Sequence, residues 1–70
     1  MKLATNKTLK IFTVLDHTDG TLKFDYTSLD GALEMFKELL TTFEVKPENL
    51  ELLEIHYDEY GNALESRKHF

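Results

Sequence analysis

An α+β fold, one helix on one face of a four-stranded antiparallel sheet in the order ββαββ, is predicted by three features of this sequence. Residues 27–43, TSLDGALEMFKELLTTF, carry the one long helical period in the chain. Two apolar runs separated by turn residues precede it, over 7–16 and 21–27. Two more, over 50–58 and 63–70, follow it with a second turn between them.

The first run, KTLKIFTVLD over 7–16, is rich in β-branched and aromatic residues. Leu9, Ile11, Thr13 and Leu15 alternate with Lys10, Phe12, Val14 and Asp16. Both sets are apolar enough to place the strand centrally in a sheet. The set containing Leu9, Ile11 and Leu15 is assigned to the core, which leaves Phe12 and Val14 on the opposite face. His17, Thr18, Asp19 and Gly20 make a turn, with Gly20 suited to a positive φ. In the next run, TLKFDYT, Leu22, Phe24 and Tyr26 share a face, with Lys23 and Asp25 on the other. This is a half-buried strand that pairs antiparallel with the first.

In the helix, Leu29, Leu33, Phe36, Leu40 and Phe43 recur at steps of four and three, and Ala32 and Leu39 widen that stripe. Asp30, Glu34, Lys37, Glu38 and Thr41 fall opposite. Thr27 or Ser28 caps the free N–H groups, and Thr27 with Asp30 makes an acidic variant of the capping box. Gly31 costs about 1 kcal/mol of helix propensity relative to alanine; a flexible first turn is preferred over close packing as its explanation. Thr41 and Thr42 weaken the end, so the helix should fray near Phe43.

Pro47 ends any helix before it, and Pro47, Glu48 and Asn49 suit a single helical turn. In LELLEIHYD, residues 50–58, Leu53, Ile55 and Tyr57 are expected on the core face and Glu54, His56 and Asp58 opposite. Leu50 and Leu52 break that phase, which calls for a bulge or a late strand start near Leu52. Asp58-Glu59-Tyr60-Gly61 matches a type I turn. The last run, ALESRKHF, is a weak, polar strand.

A right-handed crossover places the third strand beside the first, in the order 2-1-3-4. The β-grasp order 2-1-4-3 is the alternative. Composition favours the former: Glu65, Ser66, Arg67, Lys68 and His69 suit an edge, while Leu53, Ile55 and Tyr57 suit the interior.

The chain of 70 residues is read as one small domain over 1–70, with a loose leader over 1–6. It has no cysteine, so no disulfide or thiolate metal site staples it. Its core is therefore compact or is completed by a partner subunit. A soluble, unprocessed, cytoplasmic chain is expected, because no apolar run reaches signal-peptide or membrane-spanning length. The net charge is −5, and all thirteen acids lie between Asp16 and Glu65, against three lysines there. That balance makes binding to nucleic acid through phosphates an unlikely role.

Catalytic chemistry finds little footing. His17, His56 and His69 form no local ligand pattern. His56 and Asp58, with Glu65 across from them, read as charge pairing on an exposed strand rather than a metal site. Ser28 and Ser66 lack a nucleophile-elbow context, and Gly20, Gly31 and Gly61 are isolated, so no phosphate-cradling loop exists. No enzyme activity, cofactor, metal or small-molecule substrate is expected. A short, acidic, single-helix chain of this kind has its counterparts among small accessory proteins of bacteria and phages, an association of class only.

One helix cannot cover both faces of four strands, so the other face is a candidate contact surface, expected to show Phe12, Val14, Lys10, Glu54 and His56. A protein partner, or a second copy in a homodimer, would use that face or an exposed edge strand. Alternatively, Asp30, Glu34 and Glu38 on the outer side of the helix dock on a basic protein, as a nucleic-acid mimic or inhibitor does. Tyr60, at the tip of the second turn, is a further protein-binding candidate.

Overall fold

A computed structural model describes residues 9–70. The expected leader over 1–6, with Lys7 and Thr8 of the first expected strand, lies outside the described residues. The order is β1 (Leu9–Asp16), β2 (Leu22–Tyr26), α1 (Leu29–Thr41), a 3-10 turn (Pro47–Asn49), β3 (Leu50–Tyr57) and β4 (Ala63–Lys68). The strands form one antiparallel sheet in the order β2-β1-β3-β4, the arrangement favoured from composition, and α1 packs on it.

The caps resolve as local chemistry requires. Ser28, not Thr27, caps α1: its hydroxyl accepts from the Gly31 N–H at 3.2 Å. Gly31 packs closely against its neighbours, the alternative to a flexible first turn. A Cβ on it would lie 3.2 Å from the Tyr26 ring and 3.3 Å from the Ser28 hydroxyl, tighter than unstrained carbon contacts. At the other end Thr42 N–H donates to Glu38 O and Val45 N–H to Leu39 O, each at 2.8 Å, with Glu44 in the left-handed region at φ 54°. That reversal turns Phe43 away from the stripe, and it is 63% exposed rather than packed.

The faces of β1 and β3 are the reverse of those expected. Val14 and Leu52 have no exposed surface, and Phe12 and Leu50 are buried with them under Ala32 and Leu39 of α1. Leu9, Ile11, Leu15, Leu53, Ile55 and Tyr57 lie on the face away from the helix. The reason is parity. Phe24 and Tyr26 of β2 pack against the helix, and they stand directly opposite Val14 and Phe12. Directly opposed residues share a face, and a one-residue slip would exchange the two faces of β1. The expected set, with Ile11 and Leu15 on the side of Phe24, needs such a slip. Leu50 and Leu52 are then in phase with the core, so no bulge is required near Leu52. The register shift falls instead at His56/Tyr57, opposite β4.

Length explains why the core face looked polar. At about 1.5 Å per residue a 13-residue helix spans about 20 Å, whereas an 8-residue strand spans about 26 Å. α1 covers the Phe12-to-Asp16 end of its face, where β3 supplies Leu50 and Leu52. Lys10, Glu54 and His56 continue the same phase toward the other end. An apolar phase that turns polar halfway along a strand resembles a solvent face when read as letters.

Candidate functional site

The open face is organised in rows across the sheet. Asp25, Thr13, Leu53 and Lys68 stand side by side on β2, β1, β3 and β4. The next row toward the first turn is Lys23, Leu15 and Glu51. In the other direction come Ile11, Ile55 and Ser66, then Leu9 and Tyr57. Apolar side chains therefore make up most of the two central strands on this face, with Thr13 and Glu51 as the exceptions, and Lys23, Asp25 and Lys68 stand on the outer strands.

Thr13, at the middle of this face, is only 1% exposed, and its hydroxyl donates to Asp25 Oδ1 at 2.7 Å. Around it, Ile11, Leu15, Leu53 and Ile55 are half-buried. Leu9 and Leu64 are more than half exposed. α1 packs on the opposite face. The charges pair within the face: Lys23 Nζ is 3.8 Å from Asp25, and Lys68 Nζ is 3.5 Å from Glu51. His17 Nε2 sits 2.8 Å from Glu51, and that hydrogen bond, ahead of the Lys68 charge, holds the Glu51 carboxyl below its ordinary range.

A second cluster occupies the helix side, toward the end that α1 leaves free. Glu54, on β3, is nearly buried. Its Oε2 lies 2.6 Å from His56 Nε2 and its Oε1 2.8 Å from His69 Nε2. Lys10 Nζ is 4.0 Å away. The carboxylate accepts, so both rings donate. Those two hydrogen bonds, His56 first, hold the Glu54 carboxyl down to about 2, against the opposing effect of burial. Both oxygens of Glu54 are thus engaged, and it presents no free base. Among the described residues no group of three or more His, Cys, Asp or Glu is arranged to hold a metal ion.

The expected contact residues fall in different places. Phe12 and Val14 are core, so neither forms part of a surface. His56 faces the helix side and pairs with Glu54; Glu65 is its direct cross-strand partner, at 3.9 Å. Asp58 shapes the second turn, where its carboxylate accepts from the Tyr60 and Asn62 N–H groups. Tyr60 stands 81% exposed at the tip. Asp30, Glu34 and Glu38 are exposed on the outer side of α1. Sequence reasoning identified a bare sheet face and assigned it the wrong side chains: Ile11, Leu15, Leu53, Ile55 and Tyr57 belong there. The parity of Phe24 and Tyr26 against β1 was the signal that places them.

Over the described residues, the class defined by this geometry is a small two-layer α+β domain with one helix packed on one face of its sheet. No family model matches the chain, and neither a curated protein nor a solved structure is a match to it. No helix among the described residues is long and apolar enough to cross a membrane.

Proposed function

We propose that this chain is a non-enzymatic protein-binding module, an accessory protein that acts through the open face of its sheet. The observation that supports this reading is the belt formed by Leu9, Ile11, Leu15, Leu53, Ile55 and Tyr57 across β1 and β3. A contiguous apolar patch with a polar margin is the usual form of a contact surface. The exposed edge strand β4 offers backbone groups beside it for strand addition. A reducing cytoplasm suits a binding module without cysteine.

The test is affinity capture from the native host with the wild-type chain and with Ile55→Lys, both shown to be folded by circular dichroism. Loss of the captured protein from the variant supports the reading, and equal capture refutes it.

A second reading takes the outer side of α1 as the contact, docking on a basic protein as an inhibitor or regulator. It is favoured by the exposure of Asp30, Glu34 and Glu38 along one side of the helix. Reversing Glu34 and Glu38 to lysine then abolishes salt-sensitive capture, while Ile55→Lys leaves it intact.

A further inference from the structure

We infer that the occupant of the open face is a second copy of this chain, docked face to face about a two-fold axis that runs along the strands within the interface. The inference rests on the open-face reading above and names its partner.

The first argument is charge. The face carries Lys23, Asp25, Glu51 and Lys68, two of each sign, on a chain whose net charge is −5. A locally neutral margin lets two acidic molecules approach here with little repulsion, and it gives no preference for a strongly charged partner.

The second argument is the placement of those charges. One row reads acid to base from β2 to β4: Asp25, Thr13, Leu53, Lys68. The adjacent row reads base to acid: Lys23, Leu15, Glu51. A two-fold axis along the strands keeps each row level and exchanges its left and right ends. It therefore sets Asp25 against Lys68 of the other copy, and Lys23 beside Glu51 of the other copy. The same operation stacks Ile11 over Ile55 and Thr13 over Leu53. A two-fold interface must be complementary to itself; the Asp25–Lys68 pairs at the margin and the Ile11–Ile55 pairs in the centre meet that condition, while Glu51 faces Leu15 of the other copy with that copy's Lys23 alongside.

The third argument is size. Four strands about 4.8 Å apart and averaging about 22 Å long present roughly 420 Å² per copy, or about 850 Å² for the pair. That is just above the size of most casual contacts and at the small end for a specific interface, as suits a weak dimer. The product is an eight-stranded sandwich with both helices outside and its sheets about 10 Å apart. Such a dimer adds a second apolar layer to a domain whose size leaves its own core marginal.

Sedimentation equilibrium from micromolar to near-millimolar concentration is the test, on the whole chain and on variants whose fold is checked by circular dichroism. A dimer is expected for the wild type and a monomer for Ile55→Lys. Lys68→Glu, an exposed change that keeps the proposal testable should Ile55→Lys fail to fold, sets two acids together and weakens association by about ten-fold or more. Asp25→Lys combined with Lys68→Glu exchanges the ends of the row and regains most of that loss. A wild type that stays monomeric throughout overturns self-pairing, as does a dimer indifferent to both single changes. A double variant no tighter than Lys68→Glu overturns this two-fold arrangement. A monomeric wild type whose captured partner is lost with Ile55→Lys refutes self-pairing while the open-face reading stands. Capture unaffected by Ile55→Lys refutes the open-face reading itself.

Discussion

Glu54 and His69 meet at 2.8 Å on the helix side of the β3–β4 edge, and the contact ties the residues after β4 to the core. The same two residues after β4 are held through the backbone. His69 N–H donates to Leu52 O at 2.7 Å, and Leu52 N–H donates to Phe70 O at 2.9 Å. The Phe70 ring then lies against Phe36 of α1, with centroids 5.3 Å apart. Charge, backbone and ring contacts converge on Leu52, which is fully enclosed.

The Glu54 carboxyl titrates at about 2 in the folded chain against an ordinary value of 4.5. A depressed acid contributes stability that is fully present above the unfolded value and is lost as pH falls through the folded one. Thermal unfolding should therefore show Tm falling as pH drops from about 4.5 toward 2. The lowered carboxyls of Asp16, Glu51 and Asp58 act in the same direction. Glu54→Gln is expected to lower Tm at neutral pH and to flatten this acid limb. A limb unchanged in the variant would show that Glu54 does not carry the effect.

Removing His69 and Phe70 frees the Leu52 backbone groups and bares Phe36. The expected outcome, read by amide hydrogen exchange, is exchange at Leu52 faster by an order of magnitude or more while the amides of α1 keep most of their protection. Unchanged exchange at Leu52 would contradict the tie.

The exchange of faces makes neighbouring leucines unequal. Leu52→Ala empties an enclosed site and should cost about 2–5 kcal/mol in urea unfolding. Leu53→Ala, on the half-open face, should cost less than about 1.5 kcal/mol in dilute solution. Equal costs, or the reverse order, would mean that the faces are wrongly assigned.

At the start of α1 only one of two adjacent hydroxyls accepts from the helix. Ser28→Ala should lower stability by about 1 kcal/mol, and Thr27→Ala should leave it nearly unchanged. Chemical denaturation midpoints of the two variants decide between them.

Much of the plan is legible in the letters because local physics writes it. The spacing of Leu29, Leu33, Phe36 and Leu40 makes one helix, Gly20 and Gly61 take the positive φ their turns need, and Pro47 opens the 3-10 turn. The polar composition of β4 places it at an edge, which is enough to order the strands. The side chains of the open face were harder to read. β1 offers two apolar faces, and nothing within β1 prefers Phe12 and Val14 to Ile11 and Leu15. Likewise, nothing within β3 reveals that its Glu54 is enclosed by His56 and by His69, fifteen residues away.

By itself, then, the sequence determined the elements and their turns and favoured their order in the sheet, since propensity and periodicity act over a few neighbouring residues. Only the tertiary structure decided which side of β1 and β3 meets the helix. That choice is made between strands, where Val14 stands opposite Phe24 and Leu52, and a shift of one residue would invert it. The reach of α1 decided the rest: a helix shorter than the strands beneath it leaves Glu54 to its histidines at one end of the covered face.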